Sequence, residues 1–418
     1  MNSRERVNAA LNHIQPDRTP HDLGGSAVTG MHVASVYLLR QALRLDPPGT
    51  PVKVIEPFQM LGEIAPDLID ALGVDVLPLG KRETMFGFRN EGWREWNFND
   101  TPVLVPQGFN TRPEEDGSIL LYPDGDLSAP ASGKMPSGGY YFDTIIRQPP
   151  IDDERLSVED NLEEFGPISA DDLAYFAAEA ERLATTTDKA ILANFGGTAF
   201  GDIALVPAPW LKHPKGIRDV AEWYMSTVSR RDHVYRIFER QCEIALGNLE
   251  QIYRVVGDRV AAVFVTGTDF GAQTGPFIAP RAYRGLFMPF HKTVNDWIHR
   301  HTPWKSFIHS CGSVAALIPH FVEAGFDILN PVQTSATGMD PRWLKEQFGA
   351  ALTFWGGGVD TQRTLPFGTP SEIRAEVKER LAIFGAGGGF VFNPIHNVQA
   401  RTPLENLLAL YEAVKEYR

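Results

Sequence analysis

From residue 189 onward, short apolar runs alternate with longer stretches whose apolar positions recur at helical spacing. The runs cover residues 189–195 (KAILANF), 260–266 (VAAVFVT), 305–310 (KSFIHS), 327–332 (DILNPV), 352–356 (LTFWG) and 389–393 (GFVFN). Each is rich in Val, Ile, Phe or Leu and is bounded by Gly, Pro or Asp, the pattern of a parallel strand buried on both faces. Between and around them, helical spacing spans residues 231–256, 281–300, 314–324, 370–384 and 403–417. Two of these open on Thr-Pro, at Thr369-Pro370 and Thr402-Pro403, which predicts Thr as cap and Pro in the first turn. Earlier strands are expected at 19–23 and 74–79. Eight strands in alternation with helices predict an α/β chain closed into a (β/α)8 TIM barrel spanning residues 1–418 as one domain. The rival doubly wound sheet lacks its G-x-G-x-x-G turn after the first strand.

Residues 81–148 break the alternation. They are dense in Gly, Pro, Asp and aromatic residues, with turn signals at Asp116-Gly117 and Asp124-Gly125. A β-rich insertion in an early βα loop is expected, placed to serve as a lid or pocket wall.

The chain has 418 residues and a formal net charge of −13, which disfavours nucleic acid or an anionic membrane as partner. Its two cysteines, Cys242 and Cys311, offer no disulfide framework. No run of about 18 apolar residues occurs and residues 1–6 carry no apolar leader, so a cytoplasmic protein is expected.

Candidate chemistry clusters at the predicted strand ends. In Phe307-Ile308-His309-Ser310-Cys311-Gly312, His309 and Cys311 are two residues apart on a strand and so project to one face at the barrel mouth. Imidazole and thiolate are zinc donors. After the last strand, Asn393-Pro394-Ile395-His396-Asn397 brings His396 to the same rim. His309, Cys311 and His396 thus make a three-donor set with a fourth position open to substrate. Cys242, inside a long helical pattern, reads as buried packing. Other polar residues at strand ends are His21, Asp22, Asp75, Asn194, Asp269, Asn330, Gln333, Asp360 and Asn393. Asp269 and Asp360 are expected to be catalytic, orienting an imidazole, relaying a proton or adding a ligand. His21, Asp22, Asn194, Asn330, Gln333 and Asn393 are expected to bind substrate. Gly356 to Gly358 is expected to let backbone approach a ligand closely, while the glycines of 385–389 read as a helix-ending turn.

These motifs give a resemblance. His309-Ser310-Cys311-Gly312, Ile278-Ala279-Pro280 with Pro289-Phe290-His291-Lys292, Glu323-Ala324-Gly325-Phe326-Asp327, Gly358-Val359-Asp360 and Asn393 to Asn397 resemble the uroporphyrinogen decarboxylase superfamily. Within it the chain is most similar to the zinc- and corrinoid-dependent methyltransferases. The resemblance covers most of the chain, weakly before residue 150 and well from about 260. It implies a methyltransferase that moves a methyl group between a small O-, N- or S-methylated substrate and a corrinoid (cobalamin) carrier, free or on a partner protein, in a monomer or homodimer. It carries the H-x-C zinc ligands onto His309 and Cys311. The branch's third ligand is usually a Cys in a P-G-C-like run, and here His396 stands in that place. The alternative is a metal-free decarboxylase of a carboxylated substrate. Decarboxylases of the family resemble one another in an arginine-rich R-Q-A-G-R-like run, where this chain reads Thr19-Pro20-His21-Asp22-Leu23-Gly24-Gly25-Ser26.

Overall fold

The computed structural model describes residues 1–418. Seven of the expected strands form one curled, all-parallel sheet: β1 Val76–Leu79, β2 Ala190–Ala193, β3 Ala262–Thr266, β4 Lys305–His309, β5 Ile328–Asn330, β6 Thr353–Trp355 and β7 Phe390–Val391. Neighbours in the sheet are neighbours in sequence, so every connection is a crossover and every strand delivers its C-terminal end to the same rim. Interior positions alternate. Val76, Ala190, Leu192, Ala262, Phe307, Ile328, Trp355 and Val391 form one buried cluster inside the curl, and Val7 and Leu11 of helix α1 (Ser3–Leu11) plug its lower end. A second cluster of 82 buried residues packs the outer face against the helices, among them α2 (Arg231–Val256), α3 (Met288–His301), α4 (Pro370–Phe384) and α5 (Leu404–Tyr417). No helix is long and apolar enough to cross a membrane.

The expected strand over 19–23 does not form. Pro20 has no N–H to give a ladder, so pairing there shrinks to a single parallel bridge, His21 to Phe392. The segment nevertheless lies between the two edge strands. Asp22 N donates to Phe392 O at 2.8 Å and Phe392 N to Pro20 O at 2.8 Å, while Asp75 N donates to His21 O at 2.7 Å. Asp75 itself immediately precedes β1, at the lower end and not at the mouth. Its buried carboxylate gathers Arg18 (2.8 and 3.0 Å), Arg6 (2.8 Å), Ser3 Oγ (2.7 Å) and the His21 N–H (3.0 Å). Burial opposes ionisation, but the Arg18 and Ser3 hydrogen bonds outweigh it and hold the carboxyl below its usual range.

Helix boundaries follow their local signals. Thr369 caps α4 through a capping box with Glu372, whereas Thr402 does not cap α5 and instead donates to Gln399 O. The 281–300 helix is interrupted by a π turn at Tyr283–Phe287, and the 314–324 helix is trimmed to Ile318–Glu323. The glycines of 385–389 make the expected turn, three of them with positive φ. The run Gly356 to Gly358 serves packing and not ligand approach, because a Cβ on Gly358 would fall 2.3 Å from the Phe392 ring.

The β-rich region is wider than residues 81–148. Strands Arg94–Phe98 and Thr101–Val105 join Val52–Glu56 and Leu61–Gly62 in one four-stranded sheet, and Thr111–Pro113, Ile119–Leu121, Gly133–Met135 and Asp143–Thr144 form another. Its Phe86, Phe98, Phe109 and Phe142 belong to the same continuous core as the outer face of the curled sheet.

Replacing Asp75 by Ala leaves two guanidinium groups without their shared partner. Denaturant unfolding should show a loss of about 3–5 kcal/mol. Because the folded carboxyl is held below its unfolded value, its contribution is present above about pH 4 and fades as pH falls further. The gap between wild type and Asp75→Ala should therefore narrow in acid.

Candidate metal centre at the sheet mouth

β4 ends at His309, and the chain then turns so that Cys311 faces the same way. His309 Nε2 and Cys311 Sγ lie 3.3 Å apart. Gly312 makes the turn feasible: its φ is +85°, and a Cβ there would sit 2.3 Å from the Gly271 carbonyl oxygen. Its N–H donates to Gln333 Oε1 at 2.7 Å. The third donor arrives from the loop after β7. His396 is flanked by Ile395, whose N–H donates to Val359 O, and by Asn397, whose side chain accepts from Gly30 N at 2.5 Å and donates to Ala27 O at 2.8 Å. Each of His309, Cys311 and His396 offers a donor atom, all within 4.8 Å of one another, and the two imidazole centroids are 5.3 Å apart. Zinc bond lengths and tetrahedral angles set nitrogen and sulfur donors about 3.3–3.7 Å apart. The His309–Cys311 spacing meets that range, and with the three donor atoms within 4.8 Å of one another these residues could hold such an ion.

Burial sets the protonation states. It lowers His309 to about 4, against the Asn330 hydrogen bond that favours the charged ring. It lowers His396 to about 3, with His309 adding to the shift. Both rings are neutral near pH 7, the form that binds a metal. Burial, then the Asp269 carboxylate, pushes the Cys311 thiol well above its usual range. A bound cation reverses that preference, since a coordinating thiol is deprotonated.

Asp269 meets this group through backbone and charge. Its Oδ1 accepts the Cys311 N–H at 2.7 Å and lies 3.9 Å from His309 Nε2. Tyr224 donates its hydroxyl to Asp269 O at 2.7 Å and packs against Phe277, with ring centroids 5.7 Å apart. Cys311, Gln333 and His396, with Gln273, Thr361 and Gln362, line a cavity of about 280 Å³ that contains no Lys or Arg. A larger surface cleft of about 380 Å³ lies outside, where Arg342 and Arg380 are already paired with Glu379.

The other expected site residues are placed differently. Asp360 accepts Gln362 N at 2.7 Å and Arg363 N at 3.2 Å, holding a turn and not joining the donors. Asn194 is exposed and caps the Gly196 N–H. His21 is wholly buried against Phe392 and Tyr411 on the outer face of the sheet. Asn393 donates to the carbonyls of Asp22 and Thr29, and Asp22 is buried beneath Trp355. Of the substrate-binding expectations, only Gln333 reaches the cavity. Asp202 and Tyr224 escaped the sequence reading. Asp202 follows β2 in Gly201-Asp202-Ile203, and no strand-end pattern set it apart from ordinary loop aspartates. In the structure it is 7% exposed, and burial, then the charge of Asp269, raises its carboxyl to about 7.

Comparison with known proteins gives a family match over the C-terminal part of the chain. Residues 215–417 match the family model described as Uroporphyrinogen decarboxylase (URO-D). The match falls on the family that the motifs resemble. A uroporphyrinogen decarboxylase from Nitrosospira multiformis is 50% identical over 48 residues, 12% of this chain and 13% of that relative's length. A methyltransferase from Methanosarcina mazei shares the fold across 100% of this chain and 99% of its own, with a TM-score of 0.55 at 15% identity.

The raised carboxyl of Asp202 carries a stability signature. Folding favours its protonated form, so its contribution is fully present below about pH 4 and is lost as pH rises through about 7. Asp202→Asn should thus gain thermal stability over wild type progressively from pH 4 to 7, with no further gain above, as followed by melting temperature across that range.

Proposed function

We propose that the protein is a zinc-dependent methyltransferase, built on a (β/α)8 barrel whose eighth stave is the bridging segment at Pro20 to Asp22. It would transfer a methyl group between a small O-, N- or S-methylated substrate and a corrinoid carrier, free or on a partner protein. The observation that carries this reading is the convergence of His309, Cys311 and His396, of which Cys311 and His396 line a cavity and His309 lies buried behind them. The similarity of fold to a methyltransferase supports it.

His309, Cys311 and His396 would hold the ion and leave the cavity side free for substrate. Zinc, when bound, supplies Lewis acidity to the heteroatom that carries or receives the methyl group. The chain's own groups do the rest. Asp269 fixes the Cys311 backbone and places negative charge beside His309. Tyr224 and Gln333 anchor the loops that carry Asp269 and Cys311, keeping the donors in register. Asp202, ionising near neutrality, holds or releases a proton close to Asp269. The alternative decarboxylase reading needs cations for a carboxylated substrate, and the cavity lining supplies none.

Elemental analysis of tag-free protein should find about one zinc per chain in wild type. In His309→Ala and Cys311→Ala, zinc should be lost with the far-UV circular dichroism spectrum unchanged, and methylation of cob(I)alamin by methylated substrates should fall by more than about 100-fold. Wild type free of zinc after reconstitution would overturn the metal mechanism and leave the decarboxylase.

A further inference from the structure

The amide of Asn330 meets His309 on the edge turned away from the donors, and its orientation is forced. β4 and β5 pair with His309 opposite Asn330, so both side chains share the inner face, and Asn330 is wholly buried. Asn330 Nδ2 donates to the Trp355 carbonyl at 2.8 Å. A carbonyl only accepts, so the amide nitrogen faces Trp355 and the amide oxygen faces His309 Nδ1, at 2.5 Å. That oxygen also only accepts. His309 Nδ1 must then carry the ring proton, which leaves the Nε2 lone pair aimed at the side where Cys311 Sγ lies 3.3 Å away. The Trp355 end is fixed in turn. Its indole Nε1 donates to Asp22 Oδ2 at 2.8 Å, and Asp22 Oδ1 accepts the Gly25 N–H at 2.8 Å.

We propose that Asn330 is a positioning residue that holds His309 in its Nδ1–H tautomer and so makes Nε2 a metal donor, with Trp355 and Asp22 keeping the amide in place. The proposal rests on the zinc reading above and gives Asn330 and Asp22 a role beneath the site in place of substrate contact. The physical effect is twofold: the hydrogen bond from Nδ1–H raises the basicity of Nε2, and it stops the ring from rotating away from Cys311.

Two measurements test it. In metal-free wild type, nitrogen-15 NMR of the histidine rings, with His309 assigned by its loss in His309→Gln, should show the proton on Nδ1. This readout needs no change at Asn330. Zinc affinity by chelator competition should fall about 10–100-fold in Asn330→Leu. Asn330→Asp, whose carboxyl when protonated accepts from Nδ1 on one oxygen and donates to the Trp355 carbonyl from the other, should stay within a few-fold of wild type. A proton found on Nε2, or an Asn330→Leu variant that binds zinc as tightly as wild type, would overturn the positioning role. A wild type that binds no zinc would be a different failure, that of the zinc reading itself.

Discussion

The curled sheet depends on a single buried carboxylate. Asp75 immediately precedes β1, and its two oxygens gather two arginines, a serine hydroxyl and a backbone N–H from two separate stretches of the N-terminal twenty-one residues. Through Ser3 and Arg6 it seats α1 in the lower opening, where Val7 and Leu11 complete the inner cluster. Through Arg18 and His21 it draws Pro20 to Asp22 against β1, and the same segment meets Phe392 on its other side. Arg6 and Asp75 are almost wholly buried, so the group is costly to break and specifies one seating of the plug.

That closure reaches the site by a short path. Asp22 belongs to the bridging segment, and its carboxylate pins the Trp355 indole; Trp355 O pins the Asn330 amide; Asn330 pins His309. A continuous chain of buried hydrogen bonds thus links the bridging segment to the mouth. Burial raises the Asp22 carboxyl to about 6, against the hydrogen bond from Trp355. Its desolvation is thus only partly offset by the two N–H donors it accepts.

Much of this was legible in the sequence because parallel strands buried on both faces leave near-continuous apolar runs, and seven of the eight expected strands formed within a few residues of their runs. The pairing of His309 with Cys311 was legible from their two-residue spacing, but the strand ends at His309 and the turn at Gly312 is what brings Cys311 to the same side. The failures share a cause. Polar residues at strand ends look alike in sequence whether they face a cavity, cap a turn or support a neighbour. Asn330, Asn393, Asp22 and Asp360 all turned out to satisfy protein groups. Asp75 and His21 were misplaced because a run gives neither its direction in the barrel nor which face a flanking residue takes. Asp202 was missed because its environment comes from a distant loop: only the approach of Asp269 makes an ordinary aspartate unusual.

The identity of the third donor follows the same charge logic. Two thiolates and one imidazole would neutralise a divalent ion, whereas two neutral imidazoles and one thiolate leave it with a net single positive charge. With His396 in place of a cysteine, the proposed site is therefore the more electrophilic one, better suited to polarise a poor leaving group such as an ether oxygen or an amine nitrogen. The uncompensated charge has a counterpart in the structure. Asp269 lies 3.9 Å from His309 Nε2, and Asp202 stands close enough to Asp269 for its ionisation to be suppressed by it. A cation among the donors would relieve that repulsion and favour both carboxylates in their charged form. The acidic pair and the second histidine thus make physical sense together: one supplies at a distance the negative charge that the other withholds from the donor set.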